Sequence, residues 1–221
     1  MKRLFDIVLS IIVIVIFFPI IFIFAILIFL EDNRNPFYLA DRVGKNHKIF
    51  KMIKLRTMTV NDININFGST KSDDSRITKI GSFVRKFKLD EITQVINVFT
   101  GQMSFVGPRP NIIKDVEIYT NDEEKLLLVQ PGITDFSSII FSDEANILQG
   151  STQPDVKYNQ IIRPWKSRLG LIYVEKKNFI LDIKLIFFTT IAIISKKTSQ
   201  KLVIHELKKV KVDKKVIDIC K

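Results

Sequence analysis

The sequence has little cysteine, little histidine and comparatively few acidic residues. Its single cysteine, Cys220, forms no disulfide within the chain, so the polar part of the chain fits a reducing compartment. Its two histidines, His47 and His205, lie far apart, which disfavours a zinc site or a histidine-based triad. Basic residues outnumber acidic residues by 34 to 23, and this excess indicates an anionic partner: nucleic acid, anionic lipid or a phosphorylated substrate.

Charge is missing altogether from residues 7–30, an apolar run that only Ser10 and Pro19 interrupt. A straight helix of this length reaches about 36 Å, enough to cross a hydrocarbon core of about 30 Å. These physical grounds alone favour a spanning helix with a tolerated proline, and a re-entrant hairpin kinked at Pro19 is the alternative. Lys2 and Arg3 before the run, and the net positive charge after it, favour the cytoplasm for both flanks.

The rest of the chain predicts a small, mostly helical α+β domain that lies against the membrane on its cytosolic side. Two short strands or an irregular hairpin are expected over residues 37–58, followed by a polar, mobile loop over 61–75. The remaining expected elements are helices over 77–87, 89–99 and 112–129, a loop over 103–110, and a partly helical stretch over 154–178 that breaks at Pro164. The apolar face of the helix over 89–99 is expected to consist of Leu89, Ile92, Val95, Ile96 and Phe99.

Two segments near the end of the chain bear on membrane contact. Residues 182–194 predict a core helix or an interfacial helix, which we expect to help seat the domain on the membrane. The Lys-rich residues 195–221 are interpreted as a solvated, partly disordered tail, with attraction to anionic lipid as the alternative.

Two adjacent carboxylates, Asp90 and Glu91, lie at the start of the predicted amphipathic helix. Taken alone, Asp90 is best explained as an N-cap, and Glu91 as a complement to the helix dipole. Basic residues are concentrated around the pair and in two further places in the sequence: Lys54, Arg56, Arg85, Lys86, Lys88 and Arg109. A carboxylate pair among cations can bind a divalent metal, or attack phosphorus once the phosphate charge is neutralised. Surface salt bridges are the alternative explanation of the same charges.

Several short motifs follow one another in an order that is more specific than any one of them. They are RVGK at 42–45, KLRTM at 54–58, DDSRITKIG at 73–81, LDE at 89–91, MSFVGPRP at 103–110, VQPGIT at 129–134 and LDIK at 181–184. In this order they resemble the bacterial sugar transferase family, the monotopic polyprenyl-phosphate phosphoglycosyl transferases, over about residues 1–195.

The resemblance implies a reaction and a site. Asp90 matches the nucleophile that forms a phosphosugar-aspartate intermediate and releases a nucleoside monophosphate, and Glu91 matches its partner carboxylate. Mg²⁺ is the expected cofactor, held by these two carboxylates, and Lys54, Arg85 and Arg109 are the expected diphosphate-binding residues. The expected substrates are a nucleotide-diphosphate sugar, most simply a UDP-sugar, and polyprenyl (undecaprenyl) phosphate, in the first membrane step of surface glycan assembly.

The resemblance also implies a location. It favours a re-entrant helix broken at Pro19 over a spanning helix. The chain then has three parts: a membrane helix over residues 1–32, a catalytic domain over 33–195 and a basic tail over 196–221. The catalytic domain is expected on the cytoplasmic face of the bacterial inner membrane.

The chain departs from the commoner family pattern at two places. Gln102 stands where the family commonly has an aspartate, so no acidic role is assigned there. Residues 135–138, DFSS, stand where many members have Gly-Trp-Ala-Gln, and FSDE follows at 141–144. The sugar specificity of those members therefore does not carry over to this chain.

A non-enzymatic interpretation competes with the transferase, namely a membrane-tethered basic adaptor that binds nucleic acid or anionic lipid. The sequence lacks the recognised nucleic-acid-binding motifs, and its aromatic residues lie mostly in apolar runs rather than on a basic face. No nucleic-acid partner is therefore expected. The ordered carboxylate and Pro-Arg-Pro motifs also have no purpose in an adaptor.

Overall fold

The long apolar run forms one helix. The computed structural model describes residues 1–59 and 72–220, and in it α1 extends over Lys2–Asp32 with Pro19 inside it. Within those residues α1 is the one helix that is long and apolar enough to cross a membrane. Most side chains between Ile11 and Ile20 are exposed, and an exposed apolar surface of this kind indicates contact with lipid or with another protein.

Both ends of α1 contact the rest of the chain. Near its start, the Lys2 Nζ lies 2.6 Å from the Asp182 Oδ2. Near its end, Ile28 is buried against Leu55 and Val84. The membrane helix is therefore attached to the domain at two points rather than at one.

An antiparallel hairpin follows α1 and confirms the hairpin prediction. β1 (Phe37–Val43) pairs with β2 (Ile49–Leu55), with Phe37 opposite Leu55. The hairpin buries apolar side chains on both faces: Phe50 and Met52 pack in one cluster, whereas Leu55 packs with Ile28 of α1 on the other face. Most of the polar loop predicted over residues 61–75 lies outside the described residues.

Short helices make up most of the remaining described chain. In order along the chain they are α2 (Lys79–Lys86), α3 (Leu89–Ile92), α4 (Val95–Phe99), α5 (Ile113–Val116), α6 (Phe136–Ile140), α7 (Glu144–Ile147), α8 (Pro154–Lys157), α9 (Arg163–Lys176), α10 (Phe179–Ile194), α11 (Lys196–Lys209) and α12 (Lys214–Ile219). With two small sheets, this arrangement agrees with the predicted mixed, mostly helical fold. The largest buried core lies among α6, α9, α10 and α11.

The predicted loop over residues 103–110 contains a strand, so that prediction is wrong. β3 (Ser104–Val106) pairs in parallel with β4 (Gly132–Thr134). Three residues are too few to show an alternating pattern, and the partner strand is distant in the sequence. Where the chain leaves β3, a Cβ on Gly132 would lie 2.1 Å from the Gly107 nitrogen, so this close backbone approach requires glycine.

The amphipathic helix that was expected to contain the Asp-Glu pair is divided into α3 and α4, and its predicted apolar face is wrong at two positions. Ile96 and Phe99 are exposed, whereas the polar residues Thr93 and Asn97 are buried. The Thr93 Oγ1 donates to the Ile53 carbonyl at 2.9 Å, and the Asn97 Oδ1 accepts from the Ile53 nitrogen at 3.0 Å. These hydrogen bonds to β2 allow polar side chains to be buried.

The single helix predicted over residues 112–129 is wrong. The chain forms α5 and then a separate 3₁₀ helix over Glu123–Leu128. Thr120 and Glu123 begin the second helix by capping each other: the Thr120 nitrogen donates to the Glu123 Oε2 at 2.9 Å, and the Glu123 nitrogen donates to the Thr120 Oγ1 at 3.3 Å.

The partly helical stretch over residues 154–178 is confirmed. α8 continues into a π-helical turn over Tyr158–Ile162, and α9 begins at Arg163 with Pro164 in its first turn. The irregularity expected at Pro164 is therefore a change of helix type. Proline is accommodated there because the first turn of a helix needs no backbone donor at that position.

The C-terminal region is folded, so the prediction of a partly disordered tail is wrong for its described residues. Val203 and Leu207 of α11 and Val216 of α12 are fully buried in the core that contains α10. Cys220 is buried in the same core. α10 itself is both a core helix and an exposed apolar helix, because Leu185 is buried whereas Phe187 is 60% exposed.

Candidate active site

The two carboxylates lie in the corner between α2 and α3. Lys88, with a φ of 57°, ends the α2 turn in the left-handed conformation that commonly follows a helix. Asp90 is then the second residue of α3, and no side chain caps that helix. The N-cap explanation of Asp90 is therefore wrong, because its carboxylate lies inside the first turn rather than before it. Asp90 is buried, with 8% of its surface exposed.

The side chain of Lys54, near the end of β2, lies close to both carboxylates. Its Nζ lies 3.2 Å from the Glu91 Oε1 and 3.8 Å from the Asp90 Oδ2. Neighbouring side chains on a helix point about 100° apart, so a single cation can contact both only from between them. This cation partly offsets the charge of two carboxylates that are held side by side.

Arg109 approaches Glu91 from the loop that follows β3. Its Nη1 donates to the Glu91 Oε2 at 3.1 Å, and its Nη2 donates to Oε1. A guanidinium that grips both oxygens of a carboxylate has the geometry with which it also grips two oxygens of a phosphate. The structure thus brings four of the five predicted site residues into direct contact: Lys54, Asp90, Glu91 and Arg109.

Arg85, the fifth predicted residue, lies beside this group and makes no ion pair with a carboxylate of the described residues. Its Nε donates to the Thr57 Oγ1 at 3.0 Å. Its positive charge nevertheless reaches Asp90, where it favours the ionised form. Arg56, which the sequence groups with Lys54, lies elsewhere: its Nη2 donates to the Asp32 Oδ1 at 2.6 Å, at the end of α1. β2 ends at Leu55, so Arg56 does not continue the face that carries Lys54.

The environments of the two carboxylates are opposite. Burial raises the pKa of Asp90, and the charge of Lys54 offsets this only in part. Burial also acts on Glu91, but the charges of Arg109 and Lys54 outweigh it and hold the pKa of Glu91 well below its usual value. Within the described residues, Glu91 accepts three hydrogen bonds from cations, whereas the Asp90 carboxylate accepts none. Asp90 is therefore the carboxylate whose oxygens are free to react.

Asp90 and Glu91 supply two carboxylate ligands, which suit Mg²⁺ only together with ligands from a substrate. Among the described residues, no group of three or more His, Cys, Asp and Glu side chains is placed to hold a metal ion. Mg²⁺ is usually held by one or two carboxylates together with water and substrate phosphates, so a fixed cage is not required. Asp90 fits this role with its free oxygens, and Glu91 retains acceptor capacity beyond its bonds to Arg109 and Lys54.

Sequence reasoning missed the segment over residues 141–144 as a neighbour of the site. The Lys88 Nζ donates to the Ser142 carbonyl at 3.3 Å. Burial lowers the pKa of Arg109, but Glu91, and more weakly Glu144, raise it above the usual arginine value. Only tertiary packing joins these residues, so no local spacing signals it. Gln102, by contrast, is structural: its Oε1 accepts from the Asn97 Nδ2 at 2.7 Å.

Gln94 is a further buried polar residue on this helix, to which the sequence assigned no role. It is fully buried one helical turn after Asp90, on the same side of the helix. Neither its amide oxygen nor its amide nitrogen has a hydrogen-bond partner in the described part of the chain. An unsatisfied buried amide costs about 1–3 kcal/mol, which is tolerated most readily beside a functional site.

The chain belongs to the bacterial sugar transferase family, whose sequence profile matches residues 1–196. This confirms both the family and the enzyme class expected from the ordered motifs. Over 207 residues the chain is 30% identical to the exopolysaccharide production protein ExoY of Sinorhizobium fredii, a match that covers 87% of this chain and 84% of that protein.

Other relatives are much longer than this chain. A UDP-glucose:undecaprenyl-phosphate glucose-1-phosphate transferase of Klebsiella pneumoniae is 32% identical over 191 residues, which cover 85% of this chain but 39% of that protein. An uncharacterised sugar transferase of Haemophilus influenzae is 37% identical over 149 residues, which cover 61% of this chain and 31% of that protein. The chain thus spans less than half the length of these two relatives.

Proposed function

We propose that this chain transfers a sugar-1-phosphate from a nucleotide-diphosphate sugar, most simply a UDP-sugar, to undecaprenyl phosphate. The products are undecaprenyl-diphosphate-sugar and a nucleoside monophosphate, as in the first membrane step of surface glycan assembly. Family membership and the activity of the Klebsiella relative support this reaction. The observation that carries it is a buried Asp90, whose carboxylate accepts no hydrogen bond from the described residues, beside cations suited to a diphosphate. These features favour the transferase over a basic adaptor.

The proposed chemistry has two displacements at one phosphorus. In the first, an Asp90 carboxylate oxygen bonds to the phosphorus that carries the sugar, and the bond from that phosphorus to the bridging oxygen breaks. The nucleoside monophosphate leaves with the bridging oxygen and its electron pair. In the second, a phosphate oxygen of undecaprenyl phosphate bonds to the same phosphorus, and the Asp90 carboxylate leaves. The carboxylate is regenerated, so the steps balance without a further reactant.

The cations of the site would make the attack of one anion on another possible. Lys54 and Arg109 lie against the carboxylates, and Arg85 stands beside them, so a diphosphate that enters would meet three positive charges. Glu91 orients Lys54 and Arg109, because its two oxygens bind both. Mg²⁺, held by Asp90 and Glu91, would supply further neutralisation of the phosphate charge when bound. Electrostatic stabilisation of this kind is commonly the greatest single contribution to the rate of an enzymatic reaction.

The proposed location is the cytoplasmic face of the inner membrane, with α1 entering and leaving on the same side. A helix that crossed the bilayer would hold its ends about 30 Å apart, on opposite faces. Instead, Lys2 and Asp32, near the two ends of α1, pair with Asp182 and Arg56 of the same domain. α1 is continuous through Pro19, near its middle, so this path requires the helix to bend there.

Release of nucleoside monophosphate tests the reaction. The protein, in detergent or nanodiscs, is incubated with undecaprenyl phosphate, Mg²⁺ and each member of a panel of nucleotide sugars. We expect release with at least one donor, and loss of release when undecaprenyl phosphate is present but Mg²⁺ is chelated. No release from any donor in a broad panel would favour the membrane-tethered adaptor instead.

A further inference from the structure

α11 lies beyond the residues that the family profile matches, yet it is part of the catalytic domain's core. The profile ends at residue 196, where α11 begins. Val203 and Leu207 of α11 are fully buried. The Ser199 Oγ donates to the Phe188 carbonyl of α10 at 2.6 Å, in the same buried region. This helix is therefore fixed in place by packing, and is available to position whatever it contacts.

Two polar contacts of α11 fall on the segment over residues 140–144, which begins at the last residue of α6. In the first turn of α11, the Lys196 Nζ pairs with the Asp143 carboxylate. One turn later, the Gln200 Nε2 donates to the Ile140 carbonyl at 3.3 Å. Residues 141–144 are also part of the region where this chain leaves the commoner family pattern. Thus α11, which lies beyond the family profile, contacts a segment whose sequence departs from the commoner family pattern.

The residues on either side of Asp143, Ser142 and Glu144, interact with residues at or next to the candidate site. The Ser142 carbonyl accepts from Lys88, two residues before Asp90. The Glu144 carboxylate pairs with Lys166, and its charge reaches Arg109. The Ser142 hydroxyl is buried and has no partner within the described residues. This segment therefore places the Ser142 carbonyl and the Glu144 carboxylate beside the proposed diphosphate site, and oxygen acceptors of this kind suit the hydroxyls of a sugar.

We propose that α11 sets donor specificity: Lys196 and Gln200 act as positioning residues that hold residues 140–144 where they contact the donor sugar. The inference rests on the proposed function, because a sugar attached to the phosphorus beside Asp90 must lie next to the groups that line this corner. A site built to hydrogen-bond sugar hydroxyls discriminates strongly against donors whose hydroxyls point elsewhere. Small displacements of the segment would weaken this discrimination without touching Asp90.

The test compares Lys196→Ala/Gln200→Ala with Lys197→Ala. Lys197 is the adjacent, exposed lysine of the same helical turn, so the control removes the same charge without a contact to the segment. For each protein, kcat/KM is measured for UDP-glucose, UDP-galactose and their N-acetylated counterparts. We expect the double variant to change the ratio of kcat/KM between the best donor and the next by about tenfold. Lys197→Ala should leave the ratio unchanged.

A charge exchange keeps the proposal falsifiable if the double variant is unstable. Lys196→Asp should alter the donor ratio, and adding Asp143→Lys should restore it toward the wild-type value. A ratio that stays constant in all variants, or a uniform loss for every donor that follows the fall in thermal midpoint, would overturn the role of α11. Failure of the proposed function is distinguishable, since the wild-type protein would then release nucleoside monophosphate from no donor.

Discussion

Two buried aspartates, Asp90 at the candidate site and Asp182 at the attachment of α1, occupy opposite kinds of environment. The Asp182 carboxylate is saturated: its Oδ2 lies 2.6 Å from the Lys2 Nζ, and its Oδ1 accepts from the Tyr173 hydroxyl at 2.6 Å. The Asp90 carboxylate accepts no hydrogen bond within the described residues, and its Lys54 neighbour is 3.8 Å away. A paired buried carboxylate stabilises a fold, whereas one without hydrogen bonds beside cations is free to do chemistry.

The attachment of α1 is a complete network in its own right. The Lys2 Nζ also donates to the Val106 carbonyl at 2.9 Å and to the Tyr173 hydroxyl oxygen at 3.1 Å. Val106 ends β3, three residues before Arg109. The network therefore fixes both the membrane helix and the strand that leads into the site, and its contribution should appear in stability rather than in chemistry.

The largest expected effect separates these two aspartates by activity. Asp90→Asn keeps the shape of the side chain and removes the nucleophile, so turnover should fall by at least about a thousandfold. Asp182→Asn should retain most of the activity per folded molecule. Nucleoside monophosphate release, normalised to the folded fraction, measures both. Comparable losses in the two variants would remove the distinction between a reactive and a structural aspartate.

Arg109→Ala should have the next largest effect. It removes the guanidinium that grips Glu91 and is proposed to bind the diphosphate, so kcat/KM should fall by about 10²–10³-fold. Lys208→Ala, on the exposed face of α11, removes one positive charge far from these residues in the chain and serves as the control. Equal losses would mean that Arg109 acts only through the overall positive charge.

Asp182→Ala should lower stability by about 1–3 kcal/mol, because it removes the carboxylate that pairs with Lys2 and accepts from Tyr173, and leaves both donors to share the Val106 carbonyl. Thermal unfolding followed in detergent reports the change. Asp41→Ala is the matched control, since Asp41 pairs with Lys51 on the exposed surface of the hairpin, where an ion pair contributes little. A larger loss in the Asp41 variant would contradict the attachment role of Asp182.

The last expected effect is a change in stability with pH. Burial raises the pKa of Asp90 above its unfolded value of about 3.9, so its charge costs stability as pH rises above about 4. Asp90→Asn should therefore raise the thermal midpoint at pH 7, and the gain should disappear below about pH 4. Glu91→Gln should do the opposite, because the pKa of Glu91 is depressed: it should lower the midpoint at pH 7, and the loss should shrink as pH falls below about 4.

Local patterns predicted the parts of this fold that local sequence determines. The paired strands over residues 37–58 and the short helix over 77–87 were both expected from the sequence, and β1, β2 and α2 lie there. The sequence did not predict β3 and β4, because these strands are short and pair across a long sequence separation. The sequence also did not predict that the C-terminal region is folded, because lysines surround the buried residues Val203, Leu207 and Val216. These three residues are recognisable as core residues only once the core that they contact is known.

The residues of the candidate site were predicted from the ordered motifs rather than from local structural patterns. Charge composition alone explained Asp90 and Glu91 as helix-start residues, and the ordered motifs made them candidates for catalysis. Lys54 and Arg109 meet Glu91 only because β2 and the loop after β3 are packed together around α3. The contribution of Ser142 and Glu144 depends on the placement of α6 and α11, which no motif encodes.

Mapping the covalent intermediate tests the central claim most directly. The protein is incubated with Mg²⁺ and a donor labelled in its sugar, without undecaprenyl phosphate, so that the second displacement cannot occur. After an acid quench and proteolysis, mass spectrometry locates the label. We expect a sugar-phosphate on Asp90, released when undecaprenyl phosphate is added and missing in Asp90→Asn. A sugar-phosphate on any other residue, or normal turnover by Asp90→Asn, would contradict it.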